Sequence, residues 1–396
     1  FETHLWSPLS CSSLTPKTHV KSIPLAGALI TTFLQPALMW LSKPALSAVA
    51  GRSDTQRGDR VESSSVLVLN ESFGGLTVPL VAAGFSVTVS ADSVQVETAV
   101  RQNLARNGLP IDGVAFAGGS FPRDRSAFDL VIVKIPKTLA QLRSQLIDVR
   151  AAVSGDTRLI GAGMVRHIHT STVEAFETII GPTLTSRAAR KARLIHPSFD
   201  PDLVPARDAP VRYRTDAGVE VIAKPGVFSQ SKLDIGTRLL LDHLPSAESG
   251  AVVLDLGCGN GVVGTSMAAT FDRGSVVFTD ISAAAVASAR ATWAANRPHD
   301  DRAEFVWTDL ADGVADASID VVVVNPPFHD QHVVGDETAG RMFVEARRVL
   351  RPGGHLVVIG NRHLGYHRRL RRMFATAEVV ASNAKFVVLS CRSAER

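Results

Sequence analysis

Val252-Val253-Leu254-Asp255-Leu256-Gly257-Cys258-Gly259-Asn260-Gly261-Val262-Val263-Gly264 is the stretch whose reading decides the fold. A continuous apolar, β-branched run of this length reads as a strand buried on both faces, the kind found in parallel sheets covered by helices. The glycines that follow let ligand atoms approach the backbone and admit positive φ. Amides at the start of the next helix favour a carboxylate or phosphate. Gly259 to Gly264 also satisfies the G-x-G-x-x-G spacing of dinucleotide loops, so the loop alone leaves the ligand open.

Working outward, Val276–Thr279, Val321–Val324, Leu356–Ile359 and Phe386–Ser390 read as further strands. Met267–Phe271, Ala283–Asn296 and Thr338–Val349 supply helical material, and Pro352-Gly353-Gly354 reads as a turn. Towards the N-terminus the same alternation recurs: strands at Val66–Leu69, Ser86–Val89 and Leu130–Val133, helices at Ser93–Asn107 and Leu139–Val149. The two halves match. Strand-end residues Asn70, Asp92 and Lys134 in the first parallel Asp255, Asp280 and Asn325 in the second, with separations of 22 and 64 residues against 25 and 70. That spacing predicts a duplicated doubly wound unit. The expected fold is α/β, two tandem Rossmann-like domains, the N-terminal one degenerate because only the second copy keeps the glycine loop. Residues 61–205 and 206–396 are the expected domains, joined through the Pro-rich stretch Pro197–Pro210.

Length supports two domains, since single cores rarely exceed roughly 250–300 residues. The net charge of +4 is modest, but the basic residues are clustered. From Asn361 onward there are eight Lys and Arg against two Asp and Glu. A second basic run is Arg187, Arg190, Lys191 and Arg193. Charge alone fits solvated helix faces as well as an acidic partner. The three cysteines, Cys11, Cys258 and Cys391, lack metal or disulfide spacing and suit a reducing compartment. Residues 1–60 form an unassigned extension. Leu25–Leu41, followed by Ala48-Val49-Ala50, resembles a secretory signal, but Pro36 and Lys43 interrupt it. The reading adopted is a non-membrane extension of a cytoplasmic protein.

Asn325-Pro326-Pro327-Phe328, directly after the fourth strand of the second domain, separates the ligand readings. Open parallel sheets bind ligands beyond the carboxyl ends of their strands, so this peptide should share a cleft with the glycine loop. A nicotinamide enzyme has no use for it. An enzyme that methylates a planar amino group does: the Asn325 oxygen and the Pro326 carbonyl can accept the two N–H groups, which turns the nitrogen lone pair out of conjugation. The prolines lock the backbone and Phe328 offers a face to a base. The expected cofactor is S-adenosylmethionine, held by Asp255, Gly257, Cys258, Gly259, Gly261, Asp280, Ile281, Asp309 and Asn325, with Asp280 at the ribose and Asp309 at the adenine. No metal and no obligatory general base are expected, because positioning can supply much of the acceleration.

These residues resemble the ribosomal RNA large-subunit methyltransferase G family, relatives of the small-subunit methyltransferase C family. The matching stretches include Lys134-Ile135-Pro136-Lys137, His167-Ile168-His169-Thr170, Gly226-Val227-Phe228-Ser229, Asn325-Pro326-Pro327-Phe328-His329, Asn361-Arg362-His363-Leu364 and Asn383-Ala384-Lys385-Phe386. The resemblance implies methylation of a guanine N2 amino group in rRNA, 23S rRNA foremost, by a catalytic second domain beside a first domain that serves RNA binding. It implies a target base splayed out of its stack. It also makes Arg362, Arg368, Arg369, Arg371, Arg372 and Lys385 candidate phosphate contacts. Competing readings are a 16S rRNA guanine, adenine in DNA, a protein glutamine, and a non-enzymatic RNA-binding assembly factor.

Overall fold

A computed structural model describes residues 64–119, 121, 127–206, 209–327 and 332–395, those at 332–336 by their backbone. The extension 1–60, its signal-like stretch and Phe328 lie outside the described residues. The chain divides at residues 208 and 209 into two compact units.

In the first unit the strands are β1 (Ser65–Leu69), β2 (Ser86–Ser90), β3 (Val114–Phe116), β4 (Leu130–Lys134), β5 (Arg158–Met164), β6 (Thr183–Thr185) and β7 (Ala192–Pro197). Helices α1 (Thr77–Ala82), α2 (Gln95–Arg106), α3 (Leu139–Ala152) and α4 (Thr170–Ile179) cross between them. The sheet order is β3-β2-β1-β4-β5-β7-β6. β7 runs antiparallel to both neighbours, whereas the strands from β3 to β5 are parallel.

The second unit begins with a hairpin of β8 (Val211–Arg214) and β9 (Glu220–Ala223), followed by α5 (Ile235–Leu241). Its main sheet holds β10 (Ala251–Leu256), β11 (Gly274–Asp280), β12 (Ala303–Trp307), β13 (Ile319–Val324), β14 (Leu350–Asn361), β15 (Thr376–Ser382) and β16 (Phe386–Arg392). Between them lie α6 (Val262–Met267), α7 (Ala283–Asn296), α8 (His332–Val349) and α9 (Tyr366–Leu370). Its order, β12-β11-β10-β13-β14-β16-β15, repeats the first sheet strand for strand. Each sheet carries an apolar core on either face. In the second unit Leu254, Leu256, Val322, Val324 and Phe343 fill one side, and Val253, Val323, Phe278, Met267 and Trp293 the other. Two opposed cores are why its central strands read as unbroken apolar runs rather than alternating ones.

Two local expectations shift. Helix α6 starts at Val262, immediately after the glycine loop, and ends at Met267, where the sequence placed its beginning. Pro352-Gly353-Gly354 does not end an element; it bulges within β14, where Leu350 pairs with Ile319 and His355 with Val321. Among the described residues no helix is long and apolar enough to cross a membrane.

The β8–β9 hairpin is fastened to a helix rather than to the sheet. Ser288, Thr292 and Asn296 lie four residues apart along α7, and their side-chain oxygens accept from the N–H groups of Lys224, Ile222 and Glu220 at 3.0, 3.0 and 2.8 Å. Four helical residues rise about 6 Å and two strand residues about 6.6 Å, so a stripe of one period meets an edge of the other. Replacing Thr292 with Val leaves the buried Ile222 N–H without its acceptor. We expect Thr292→Val to cost about 1–3 kcal/mol in denaturant unfolding. An unchanged midpoint would show that the ladder does not hold the hairpin.

Candidate active site

β10 lies between β11 and β13, and its register levels three strand ends. Leu256 pairs with Thr279 of β11 and with Val324 of β13. The glycine loop, Asp280 and Asn325 therefore leave the sheet at one edge.

The loop is braced by backbone and carboxylate together. Gly257 and Cys258 N–H both donate to the Thr279 carbonyl at 2.9 Å. The Asp280 carboxylate accepts from Gly259 N at 2.9 Å with one oxygen and from Ser282 N at 2.9 Å with the other. Asn260 is buried; its Nδ2 donates to the Tyr213 hydroxyl at 3.1 Å, and its Oδ1 accepts from Val262 N at 3.2 Å. Burial pushes the Tyr213 phenol up, and the Asn260 hydrogen bond pulls the other way. The glycines have separate reasons. A Cβ on Gly261 would lie 2.6 Å from the Ala289 backbone, so this residue lets α6 pack on α7. Gly259 has φ +54° and a Cβ there would meet nothing within 4 Å, which leaves that side of the loop to a ligand.

Asp255 is turned inward. It is buried, and its Oδ2 accepts from Gly264 N at 2.8 Å, drawing the first turn of α6 against the strand. A Cβ at Gly264 would come 2.4 Å from the Phe278 ring, so glycine is required there by packing. Burial, set against the Gly264 hydrogen bond and joined by the charge of Asp280, pushes the Asp255 carboxyl up to about 7. Burial and then the Asp280 and Asp255 charges hold the Cys258 thiol well above its ordinary range, which makes it a poor nucleophile.

Asn325 carries the most informative atom. Its Nδ2 donates to Thr237 Oγ1 of α5 at 2.9 Å, while its Oδ1 is buried without a hydrogen-bond partner. Such an orphaned acceptor is costly unless a ligand completes it. Pro326 is buried behind it and Pro327 exposed. Asp309 lies after β12, and its Oδ2 accepts from Arg341 of α8 at 2.8 Å. Ile281 is half-buried, and its carbonyl accepts from Trp307 Nε1 at 2.8 Å. Among the candidate phosphate contacts, Arg362 and Lys385 line one groove. Arg368, Arg369, Arg371 and Arg372 are exposed on and just after α9, with the Arg369 guanidinium beside Gly340. Tyr213, Thr237 and Arg341 escaped the sequence reading, because each comes from an element outside the strand–loop–helix unit. Among the described residues no three His, Cys, Asp or Glu side chains gather as a metal site.

The first unit shows the same frame filled in. Leu69 pairs with Ser90 and Val133 as Leu256 does with Thr279 and Val324. That register places Ala91 where the second unit has Asp280, and Lys134 where it has Asn325. It corrects the spacing argument by two residues at Asn70, which stands opposite Gly257, and by one at Asp92. Glu71 takes the place of Cys258. Its carboxylate accepts from Ser72 N, Leu76 N, Thr77 N and Thr77 Oγ1 at 2.7 to 3.1 Å. The Lys134 ammonium donates to Ser72 Oγ at 2.6 Å; burial holds its pKa down and Glu71 opposes that. Side chains of this unit therefore occupy the space that glycines leave open in the other.

A family model for the methyltransferase small domain matches residues 218–390, and one for the RLMG N-terminal domain matches residues 52–201. The chain is 49% identical to the ribosomal RNA large subunit methyltransferase G of Streptomyces avermitilis, over 83% of this chain and 87% of the relative. The chain belongs to the ribosomal RNA large subunit methyltransferase G family. A second member, from Pseudomonas putida, is 44% identical over 83% of this chain and 87% of its own length. A T. thermophilus 16S rRNA N2 methyltransferase, solved with AdoMet and guanosine, superposes with TM-score 0.69 at 24% identity over 89% of this chain and 92% of that one. That likeness confirms the tandem fold of the family.

The Asp255 shift has a stability consequence. Because its pKa is higher in the fold than the ordinary 3.8, its contribution is complete below about pH 4 and is lost as pH rises through about 7. Asn keeps an acceptor for Gly264 N–H and does not ionise. Asp255→Asn is expected to flatten the decline in thermal stability between about pH 4 and 7; parallel profiles for variant and wild type would refute the assignment.

Proposed function

We propose that this protein methylates the exocyclic N2 amino group of a guanine in large-subunit ribosomal RNA, with S-adenosylmethionine as donor. The observation that carries the reading is the Asn325 amide: one end is held by Thr237 and the other presents a buried oxygen with no partner. The loop fits the cofactor on independent grounds, since it is bare at Gly259 and anchored by Asp280 behind. Gly257, Gly259 and Gly261 would hold the methionine part, with Asp280 and Ile281 at the ribose and Asp309 at the adenine. The Asp280 carboxylate oxygens can each accept more than one hydrogen bond, as binding a ribose hydroxyl requires. When bound, the cofactor supplies an electrophilic methyl group on a sulfonium.

The chain's own residues do the remaining work. Asn325 Oδ1 accepts one N–H of the guanine amino group and the Pro326 carbonyl the other, which directs the nitrogen lone pair away from the purine ring. Thr237 prevents the amide from turning over, and the prolines keep the acceptors in place without reorganisation. Phe328 is assigned the face on which the base stacks. The second unit, residues 206–396, is read as catalytic and the first, residues 61–205, as serving RNA binding, because Glu71 and Lys134 occupy its loop. A protein with this substrate works in the cytoplasm.

Methyl transfer from labelled cofactor to rRNA, followed by nucleoside analysis, tests the reading: the label is expected in N2-methylguanosine. Label in methyladenosine or in protein would overturn it. Asn325→Ala is expected to lower kcat on the order of 100-fold or more while the cofactor Kd stays within a few-fold, since the acceptor acts on the amino group. Loss of cofactor binding with an intact fold would move Asn325 to the cofactor instead.

A further inference from the structure

The first unit has lost the loop but keeps a second feature of the catalytic unit. In the second unit, the residue after β14 donates to the residue before β16: Arg362 N to the Lys385 carbonyl at 2.9 Å. In the first, the residue after β5 donates to the residue before β7: Val165 N to the Lys191 carbonyl at 2.9 Å. Strand pairing at Asn361 and Phe386 and at Met164 and Ala192 confirms that the corners are equivalent. Lys191 and Lys385 are thus the same position of the duplicated fold. A groove opens at each corner, lined by Arg362, His363, Ala384 and Lys385 in one unit, and in the other by His169, Thr170, Leu184 and Arg193 among others.

The first-unit corner is the more basic of the two. The basic run lies on the β6–β7 hairpin rather than on a helix. Ala189 and Ala192 exchange both N–H···O bonds at 2.9 Å, closing a two-residue turn whose central residues are Arg190 and Lys191. Both are left-handed, with φ of 48° and 64°. This turn ordinarily takes Asn-Gly, and long side chains hold it at a cost in backbone strain. Strain of this kind is retained where the strained residues have a task. Arg190 and Lys191 are exposed, and the Val165–Lys191 bond brings them beside Arg166, also exposed. Within the groove, Arg193 Nε is buried without a hydrogen-bond partner, and Leu184 stands 76% exposed. No carboxylate is among the residues lining it.

The geometry points to this corner as a phosphate-binding site for RNA: Arg190, Lys191 and Arg166 contact the backbone, Arg193 completes the groove, and Leu184 offers an apolar surface to a ribose or base. The Arg193 guanidinium, with an unmet Nε donor, suits phosphate oxygens, and such contacts position the nucleic acid without reading its sequence. The inference rests on the reading that rRNA is the substrate, and assigns a place where the silent unit grips it. The corner survived the filling of the loop because phosphate binding requires neither cofactor nor Asn325.

The turn supplies a test that does not endanger the fold. Arg190→Asn together with Lys191→Gly removes two charges and installs the pair that this turn prefers, so the unfolding midpoint should hold or rise. Cofactor affinity and the identity of the methylated nucleoside should not change. Affinity for deproteinised large-subunit rRNA should fall on the order of tenfold near 0.1 M salt, and the slope of log affinity against log salt should shrink by about 1.4–1.8, the share of two phosphate contacts. A folded variant whose rRNA affinity and slope match the wild type would overturn the site. Wild-type protein that neither binds nor methylates rRNA would instead overturn the underlying reading. If the variant keeps its rRNA affinity and slope but loses binding to an acidic protein, the corner is a protein-docking surface and the proposal fails.

Discussion

Pairing of Leu256 with Thr279 on one side and Val324 on the other is the constraint from which the site follows. Parallel strands in register end at one level, and whatever each strand carries next is delivered to one cleft. The glycine loop, Asp280 and Asn325 lie far apart in sequence and are gathered by this register alone. A slip of one residue between β10 and β13 would turn Val323 and Val324 to opposite faces and mismatch both cores, because alternate residues of β13 fill opposite sides. Core packing and site assembly are therefore the same requirement on the same three strands.

The sequence was most legible where one unit of local structure carries both the pattern and the chemistry. The run from Val252 through Gly264 announced its strand, loop and ligand edge, and Asn325-Pro326-Pro327 could be placed across from it by the general behaviour of open sheets. The duplication was visible too, though with a register error at Asn70 and Asp92, since separations along a chain do not reveal which residues lie side by side. Short or amphipathic edge elements such as β6, β8 and β9 carried no comparable signal. Residues that act from other elements were also hidden. Nothing in the sequence near Thr237 states that its hydroxyl will meet an amide 88 positions away. The basic run at Arg187 to Arg193 was open between a helix face and a binding surface because charge spacing does not distinguish a helix from a hairpin tip; the two left-handed residues are a property of the turn alone.

The difference between the two loops can be traced to the origin of one carboxylate. Both units must satisfy amides at the start of the helix after their first strand. Gly74 and Gly261 occupy the same place: the nearest backbone to a Cβ on either is the Cα of Val100 and of Ala289, at 3.6 and 2.6 Å. Val78 N and Thr265 N then donate back to Gly74 and Gly261 respectively. By that alignment Thr77 stands where Gly264 does. In the second unit the carboxylate comes from beneath, from Asp255 within the strand, so the upper side of the loop stays bare. In the first, Val68 occupies the strand position and Glu71 reaches the equivalent amide, that of Thr77, and its neighbour Leu76 N from within the loop. Asp255 bears a burial penalty, visible in a carboxyl pushed up to about 7. Glu71, also buried, caps its helix from within the loop, so its side chain lies on the side that the second unit leaves bare. Capping from the strand is the solution that keeps side chains out of the loop.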